Sequence, residues 1–572
     1  MPTIEVSFDD LQSLVGVKLP EEVDRLDDIL YYAKGQVESF DGETLKIEIK
    51  DGNRPDLWSV EGIARCLRGA LGVEDGLRRY VIEGPSGVKV LVDPRLENIR
   101  PYIACSVLMG VRLDDKAIRE LMHLQDKLDQ TYGRDRKRAS IGLYNFDLIK
   151  PPLRYTVARP KEVSFVPLGS NEEMTLEEIL KRHPKGVKYG DIIRRHKHWP
   201  IFIDDEDSVL SFPPIINSND LGKVTGEVKN VLVEVTGTRL PNLLNTLTIV
   251  TLSLADRGGK IRSVEVDYPY GRERRIITPK LENKLMTLRS SYVNQVLGLN
   301  LKTDGIARLL RRARYGIAGL RRDEITVIVP CSRVDVMHPI DVVEDVAIMF
   351  GYNNIKPEWP RLATTGHLSE RERFSDLVRE IMIGLGFQEI LSFSMSTPVK
   401  LFDMMNLKRG RVVEVSNPRT STYTCLRGWL IPSLMEFLSH NTHVEYPQKI
   451  FEVGECVVFD GKRETKTRDV RKLACLIAHP SSNFSEAKAI LDSLFLNLGI
   501  KYKLERTTHG SFVDGRVGRI LVSEEDVGII GEINPAVIQE WKLGNPIAGF
   551  EVDLDTLFLR VTADKGRSFP AR

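Results

Sequence analysis

The chain has 572 residues and a formal net charge of +1, because 81 Lys and Arg side chains nearly balance 80 Asp and Glu side chains. This length predicts several domains, and the balanced charge excludes a globally basic nucleic-acid-binding protein, so any basic surface is local. The six cysteines form no CxxC pair, and the most apolar stretch (243–255) is too short and too polar to span a bilayer. We therefore expect no zinc ribbon, disulfide framework or membrane contact, and a cytoplasmic protein.

Residues 1–85 are predicted to form a small N-terminal α/β domain. The sequence "TLKIEIK" (44–50) alternates between apolar and polar residues, as a strand does. The sequence "SVEGIARCLRGALG" (59–72) has helical spacing and ends at a glycine, which is typical of a helix C-terminus. The turn residues between the two segments complete a strand–turn–helix unit.

Residues 86–272 are predicted to form a mixed α/β domain. Strands are expected at 88–93 and 230–238, and the pattern of 114–133 predicts an amphipathic helix with a glycine stop. Connections rich in proline or glycine, such as "SFPPIINSND" (211–220), separate these elements.

Residues 273–360 are predicted to form a small helix-rich domain. Residues 286–316 are expected to supply two short helices, 324–330 a strand, and 340–352 a helix that ends at Gly351. The composition of residues 356–366 indicates a linker.

Residues 361–572 are predicted to form the last module. A long helix is expected at 369–386, and strands are expected at 449–459 and 525–535. The whole chain is therefore assigned to the α+β multidomain class.

Four carboxylates lie within eleven positions at the junction of the third domain's strand and helix: Asp335, Asp341, Glu344 and Asp345. Asp341 and Glu344 have the spacing of a capping box, in which Asp341 caps the first helical turn and Glu344 reaches back. Capping does not account for Asp335 or Asp345.

A bound cation is the alternative explanation of this acidic cluster. At 100° per residue, three of the carboxylates share one sector of the helix, and Asp335 is able to fold back toward them. Grouped carboxylates repel one another unless a cation joins them, and Arg333 is the one certain local cation. Ligands that are all oxygen select a hard ion, Mg²⁺ or Ca²⁺. From the spacing alone, the cap and the metal site both remain open.

A second polar group occurs in the mixed α/β domain. Ser211 and Asn217 flank a double proline, and Glu234 and Thr236 share one strand face because side chains alternate with period two. No GxSxG sequence surrounds Ser211, which argues against a serine hydrolase. Taken alone, these residues are explained by two ordinary strand–turn elements.

Two basic runs, at 133–140 and 181–199, lie in the same domain. A solvated surface is the default interpretation of such runs, and contact with a phosphate backbone is the alternative. No GxxxxGK[ST] motif occurs, and no GxGxxG follows a strand, so ATP is not expected to bind this chain.

Six motifs together carry a family resemblance. Each motif is modest alone, but the set covers nearly the whole chain and resembles the β subunit of phenylalanyl-tRNA synthetase of the archaeal and eukaryotic type. The motifs are "NRPDLWSVEGIAR" (53–65), "SFPPIIN" (211–217), "VTGT" (235–238), "VPCSRVDVMHPIDVVEDVAIMFGYNN" (329–354), "LRGWLIPSLMEFLSHN" (426–441) and "IFEVGE" (450–455).

The resemblance implies an α₂β₂ tetramer in which the α subunit binds ATP and phenylalanine and charges tRNA(Phe). The β subunit would supply an N-terminal domain, an editing domain, a small domain of the B5 type and a class II synthetase-like antiparallel module without catalytic activity. The sequence agrees, because "IFEVGE" lacks the arginine of a working site, and "GFEVDLDTL" (549–557) lacks the glycines and arginine of a GxGxxR segment.

The resemblance also implies two sites. A Mg²⁺ ion would bind Asp335, Asp341, Glu344 and Asp345, near the contact with the α subunit. An editing pocket that hydrolyses mischarged Tyr-tRNA(Phe), with water as the nucleophile, would be formed by a second set of residues. They are Ser211, Asn217, Glu234 and Thr236.

Glu234 departs from the pattern, because relatives commonly have aspartate at this position. The alternative function is therefore a non-enzymatic scaffold or tRNA-binding subunit whose editing pocket is inactive.

Overall fold

The computed structural model describes residues 2–271 and 273–565. The chain divides into two compact units, Met1–Trp359 and Pro360–Arg572. Within the described ranges, no helix is both long and apolar enough to cross a membrane. Short 3₁₀ turns connect several elements and lie at Tyr31–Ala33, Pro55–Leu57, Pro94–Asn98, Phe146–Leu148, Gly190–Ile192, Tyr352–Asn354 and Asp403–Met405.

The N-terminal region is a three-stranded antiparallel sheet covered by helices. The alternation predicted for 44–50 is observed, since Leu45, Ile47 and Ile49 are completely buried on one face of β3. The Ser59 hydroxyl caps α3 by accepting the amide hydrogen of Gly62 at 3.1 Å. The strand order is β1-β3-β2. The elements are β1 (Thr3–Ser7), α1 (Phe8–Val15), α2 (Val23–Leu30), β2 (Gly35–Phe40), β3 (Thr44–Ile49) and α3 (Val60–Ala70).

The next region is built on a large mixed sheet. Its elements are β4 (Ile82–Val92), β5 (Tyr102–Met109), α4 (Asp115–Gln130), β6 (Ala139–Asn145), β7 (Leu153–Ala158), β8 (Ser164–Phe165), β9 (Met174–Thr175), α5 (Leu176–Arg182), α6 (Pro184–Tyr189), β10 (Trp199–Ile203), β11 (Val209–Phe212), β12 (Ile216–Asn217), α7 (Asn219–Gly222), β13 (Val231–Gly237), α8 (Leu240–Asp256), β14 (Lys260–Asp267) and β15 (Arg275–Thr278). The strand order is β12-β11-β10-β7-β4-β14-β5-β13-β6, and β15 pairs with β14.

The apolar stretch at 243–255 forms most of α8, which packs on β5 and β13. Every residue of β13 is buried, which explains its nearly continuous apolar sequence. The strand therefore lies between α8 and the polar site, and it carries Glu234 and Thr236.

The third region contains more strand than its sequence suggested. The expectation of a helix-rich domain is corrected to three helices on a three-stranded antiparallel sheet of order β16-β18-β17. Its strands at 284–289 and 316–320 lack clear period-two alternation, because both lie at the sheet edges and are largely exposed. The elements are β16 (Lys284–Arg289), α9 (Ser290–Leu297), α10 (Thr303–Arg312), β17 (Gly316–Leu320), β18 (Glu324–Val329) and α11 (Pro339–Phe350).

The second unit is a seven-stranded sheet of order β19-β22-β23-β27-β26-β25-β24, in which only the β19–β22 pair is parallel. Helices α12, α15 and α17 pack on one face, and α14 packs on the other. The elements are α12 (Glu370–Gly384), β19 (Gln388–Glu389), β20 (Met395–Ser396), α13 (Pro398–Leu401), β21 (Cys425–Leu426), α14 (Ile431–His440), β22 (Gln448–Phe459), β23 (Thr467–Ala478), α15 (Phe484–Leu498), β24 (Lys503–Arg506), β25 (Phe512–Val522), β26 (Glu525–Ile533), α16 (Pro535–Glu540), β27 (Ile547–Asp553) and α17 (Leu554–Lys565).

Candidate functional site

A cavity of about 220 Å³ lies beside β6, β11 and β13. Ser211, Asn217 and Glu234 line it, as do apolar side chains that include Ile141 and Phe212. This volume is below the ~300–1,000 Å³ of pockets for drug-sized ligands, so the cavity suits a small group such as one aromatic side chain. The structure therefore brings together three of the four residues predicted for the editing pocket.

Glu234 is the buried carboxyl of this cavity. It is 2% exposed, and its Oε2 accepts a hydrogen bond from the Tyr144 hydroxyl at 2.7 Å. Its Oε1 is buried and has no hydrogen-bond partner. Burial raises the pKa of Glu234 to about 7, although the hydrogen bond from Tyr144 acts to lower it.

Ser211 also lines the cavity, and its Oγ is a second buried polar atom without a hydrogen-bond partner. Asn217 is its cross-strand partner in the β11–β12 pair. The Asn217 amide donates to the Leu143 carbonyl at 3.3 Å, which ties this short edge strand to β6. A buried polar atom without a partner costs free energy, so both orphaned oxygens favour a ligand that offers a hydrogen bond.

Thr236 does not line the cavity. Its hydroxyl accepts a hydrogen bond from Arg100 Nε at 2.9 Å and lies 3.1 Å from the Ser140 hydroxyl. Arg100 is 1% exposed and also donates to the Arg136 carbonyl at 3.0 Å. Thr236 therefore belongs to a supporting network behind the cavity.

Three cations stand at the wall of the cavity: Arg136, Lys185 and Lys223. Arg136 comes from the first basic run, is buried, and donates to the Pro214 and Ile215 carbonyls at 3.2 and 2.9 Å. Lys185, from the second run, and Lys223 are exposed. The predicted basic surface thus reaches the rim of the cavity.

The acidic cluster of the third region is organised around Arg333. Its guanidinium donates to Asp335 at 2.9 and 2.7 Å and to Asp345 at 2.8 Å. Asp345 also accepts a hydrogen bond from the Tyr315 hydroxyl at 2.6 Å. Although burial opposes ionisation, Arg333 and then Arg54 hold the pKa of Asp335 at about 2.

The helix cap lies three residues earlier than the sequence suggested. His338 is the N-cap of α11, and its ring accepts the amide hydrogen of Ile340. Asp341 reaches back to the amides of Met337 and His338 at 2.9 and 2.7 Å. The expectation that Asp341 caps the first turn and Glu344 reaches back is therefore corrected, because the helix begins at Pro339.

Glu344 has a different partner. It forms an ion pair with Lys34 of the N-terminal region at 3.0 Å, and Lys34 also pairs with Asp51. Glu344 remains half-exposed, whereas the Lys34 side chain is largely buried. This pair links the N-terminal region to α11.

The four carboxylates do not converge on one point in this arrangement. Arg333 lies between Asp335 and Asp345. Asp341 accepts a hydrogen bond from the amide of the N-cap residue, and Glu344 pairs with Lys34. Among the residues that the structure describes, no group of three or more His, Cys, Asp or Glu side chains is placed to hold a metal ion. The predicted four-carboxylate Mg²⁺ site does not fit these contacts.

The second unit carries a buried ionic network on the α14 face of its sheet. Glu452 of the "IFEVGE" strand pairs with Arg427 at 2.7 Å, and both side chains are almost completely buried. Glu551 accepts the amide hydrogens of Leu430 and Ile431 at 2.8 and 3.1 Å, at the start of α14. These polar groups therefore have ion-pair or hydrogen-bond partners within the second unit.

Two family descriptions match the chain. The description "Phenylalanyl tRNA synthetase beta chain CLM domain" matches residues 355–554, and "tRNA synthetase B5 domain" matches residues 286–352.

Similar proteins cover nearly the whole chain. The phenylalanine–tRNA ligase β subunit of Pyrococcus furiosus is 46% identical over 562 residues, which are 98% of this chain and 100% of that protein. The corresponding subunit of Methanocaldococcus jannaschii is 41% identical, over 97% of this chain and 100% of that protein. An N-terminal fragment of the Pyrococcus horikoshii phenylalanyl-tRNA synthetase β subunit superimposes with a TM-score of 0.59 at 41% identity, and covers 61% of this chain and 100% of the fragment.

These matches and the mixed α/β multidomain fold define a subunit of an aminoacyl-tRNA synthetase. The chain belongs to the family of phenylalanine–tRNA ligase β subunits, in its archaeal form, and is part of a ligase complex.

Sequence reasoning missed Tyr144, which donates a hydrogen bond to Glu234, and Arg100, which donates a hydrogen bond to Thr236. Neither residue belongs to a recognisable motif, and each lies about 90 or more positions from its partner along the chain. Only the pairing of β6 with β13 placed Tyr144 within reach of the carboxyl.

Proposed function

We propose that this chain supports the ATP-dependent charging of tRNA(Phe) by an α subunit within a cytoplasmic α₂β₂ tetramer, and that its cavity hydrolyses mischarged Tyr-tRNA(Phe). The α subunit binds ATP and phenylalanine. The observation that carries the editing role is the pair of buried, unpartnered oxygens, Glu234 Oε1 and Ser211 Oγ, in one small cavity.

The need for such a cavity follows from the chemistry of the two amino acids. Tyrosine is phenylalanine with one added hydroxyl, and an apolar synthetic pocket rejects such an analogue weakly. A second site that hydrogen-bonds the hydroxyl selects tyrosine strongly, because phenylalanine leaves its buried polar groups unpaired. We assign the recognition of the hydroxyl to Glu234 and expect Ser211 and Asn217 to orient the ester end of the substrate.

Hydrolysis itself needs only water and orientation in this scheme. The oxygen of a water molecule adds to the ester carbonyl carbon, and the bond from that carbon to the ribose oxygen breaks. One proton of the water passes to the ribose oxygen, which leaves as a hydroxyl, and the other passes to solvent as tyrosine leaves as a carboxylate. The exposed Lys185 and Lys223 at the rim provide positive charge for the phosphates of the acceptor end.

A Mg²⁺ ion at the acidic cluster is the remaining prediction of the resemblance. The contacts favour a different account, in which Arg333 and Lys34 supply the positive charge that these carboxylates require. No step of the proposed reaction depends on a metal at this position.

The test is the deacylation of Tyr-tRNA(Phe) by the complex of this chain with an α subunit. We expect the wild-type complex to release tyrosine, and we expect Ser211→Ala and Thr236→Ala to slow the release, with correctly charged Phe-tRNA(Phe) as the control substrate. Absence of release by the wild-type complex would leave the scaffold or tRNA-binding alternative. The β chain without its partner is expected to form no aminoacyl-adenylate.

A further inference from the structure

Glu234 and Gly142 are cross-strand partners in the β13–β6 pair. The Glu234 carboxyl folds back over Gly142, and a Cβ atom at position 142 would collide with both Glu234 Oε2 and the Tyr144 hydroxyl. Gly142 does not have a positive φ, so the requirement for glycine here is steric. The missing side chain at position 142 makes the space in which Tyr144 and Glu234 meet.

Tyr144 sets which oxygen of Glu234 remains free. The Tyr144 ring is completely buried, packs edge-on against Phe202 with centroids 6.2 Å apart, and donates to Oε2 at 2.7 Å. Burial raises the pKa of Tyr144 well above its ordinary value, so its hydroxyl stays protonated and acts as a donor. Oε1 is then left without a hydrogen-bond partner, on a side chain that lines the cavity.

We propose that Tyr144 and Gly142 are positioning residues that hold one oxygen of Glu234, so that the other oxygen is presented to the hydroxyl of the tyrosyl substrate. This inference rests on the proposed editing function. Tyr144 is not among the residues that line the cavity, so it acts through Glu234 and does not touch the substrate. A carboxyl that rotated freely would satisfy itself with local donors and discriminate less between tyrosine and phenylalanine.

The central experiment compares Tyr144→Phe with the wild-type complex in single-turnover deacylation of Tyr-tRNA(Phe) and Phe-tRNA(Phe). The variant keeps the buried ring and loses only the donor. We expect the Tyr rate to fall about tenfold, the size of one lost hydrogen bond to a charged group, and the Phe rate to stay the same. Tyr270→Phe is the matched control, because it removes a partly buried hydroxyl that donates to the Pro101 carbonyl at 2.6 Å, away from the cavity.

The pH profile separates a positioning role from a merely structural one. The hydrogen bond from Tyr144 lowers the pKa of Glu234, so its removal raises that pKa. If the carboxylate form accepts the hydrogen bond of the substrate hydroxyl, the ratio of the Tyr to the Phe deacylation rate rises with pH. Its midpoint then lies near pH 7 in the wild type. We expect this midpoint to move to higher pH in Tyr144→Phe and to stay in place in Tyr270→Phe.

A second variant tests the steric part of the inference. Gly142→Ala is expected to lower the Tyr-to-Phe ratio at least as much as Tyr144→Phe, because the methyl group displaces both partners. Gly226→Ala is the control in the same domain, since a Cβ there meets its nearest atom, the Leu113 carbonyl oxygen, at an ordinary 3.4 Å.

The outcomes distinguish failure of the proposed editing function from failure of the positioning role of Tyr144 and Gly142. A wild-type complex that releases no tyrosine overturns the proposed function and this inference with it. A wild-type complex that edits, with Tyr144→Phe unchanged in ratio and pH midpoint, overturns the inference alone. Equal slowing of both substrates without a shift in the midpoint also overturns it, because that result indicates general damage to the domain.

Discussion

The cavity and the acidic cluster both contain buried carboxylates. They differ in whether the polar atoms have partners within the protein. In the cavity, Glu234 Oε1 and Ser211 Oγ have no partner. In the cluster, Arg333 bonds Asp335 and Asp345, and Lys34 pairs with Glu344. From their spacing alone, the cluster residues were compatible with a helix cap or a metal site, whereas the cavity residues were explained by two ordinary strand–turn elements.

On the proposed function, this difference separates a cavity that receives a ligand from a group of charges that stabilises the fold. Buried polar atoms normally have a hydrogen-bond partner, so two unpartnered oxygens on residues that line one cavity favour a partner supplied by a ligand. Buried carboxylates that already share a guanidinium have little to gain from an added ion, and they depend strongly on that guanidinium.

The largest expected effect follows from removing the cation of the cluster. Arg333→Met leaves Asp335 and Asp345 buried without their guanidinium, and breaking a buried ion pair in this way costs about 3–5 kcal/mol of stability. The measurement is urea unfolding of the complex, followed by a probe in the third region. Arg321→Met is the control, since Arg321 is largely exposed and lies 4.0 Å from Glu324. Equal stability of the two variants would contradict a structural role for Arg333.

Glu234→Gln is expected to reduce editing activity, whereas Arg333→Met is expected to reduce stability. The change keeps the shape of the side chain but removes a charged acceptor, so we expect Tyr-tRNA(Phe) deacylation to fall by about 10–100-fold. The melting temperature should stay equal or rise, because a buried carboxyl with one unpartnered oxygen is replaced by an amide. Glu265→Gln is the control, because this partly exposed carboxylate on β14 pairs with Lys89 and Arg275 and does not line the cavity. A large loss of stability with normal editing would instead indicate a structural role for Glu234, like that of the carboxylates in the cluster.

The pH dependence of stability should show the raised pKa of Glu234. Its pKa is about 7 in the fold against an ordinary 4.5, so the folded state binds more protons than the unfolded state between these values. Stability therefore falls as pH rises from about 4.5 to about 7, by roughly 1–3 kcal/mol from this group. The measurement is the difference in unfolding free energy between wild type and Glu234→Gln across that window. A difference that is constant with pH would show that Glu234 is ionised throughout.

The smallest expected effect is at Glu344. Its side chain is 49% exposed, and Lys34 keeps Asp51 as a partner, so Glu344→Gln should cost about 0–1 kcal/mol.

The same variant also tests the Mg²⁺ prediction. With the charges already paired, we expect excess Mg²⁺ or a chelator to leave the melting temperature of both wild type and Glu344→Gln unchanged. A rise in melting temperature with Mg²⁺ that Glu344→Gln abolishes would instead establish a metal site, because a ligand that binds only the folded state stabilises it.

Local patterns predicted many of the elements. The alternation of 44–50 predicted β3, and the helical spacing and terminal glycine of 59–72 predicted α3. The long helix expected at 369–386 is α12, and the strands expected at 449–459 and 525–535 are β22 and β26. These predictions succeeded because each signal lies within the element itself.

Edge strands and helix caps were harder to predict from the sequence. The strands at 284–289 and 316–320 were missed, since exposed edge strands carry little alternation. The helix cap was placed at Asp341 because Asp341 and Glu344 have capping-box spacing, yet the proline at 339 starts the helix earlier. A spacing rule alone does not choose between two cap positions that lie three residues apart.

The sequence by itself determined the family, the α+β class and the identity of three cavity residues, because ordered motifs and local periodicity survive without long-range information. Only the tertiary structure decided how the charges are used. Arg333 meets Asp345 twelve positions away, and Lys34 meets Glu344 across two regions of the fold. Tyr144 meets Glu234 ninety positions away, because two strands pair. Whether a buried carboxyl is paired or left free depends on such distant neighbours, and no local pattern contains them.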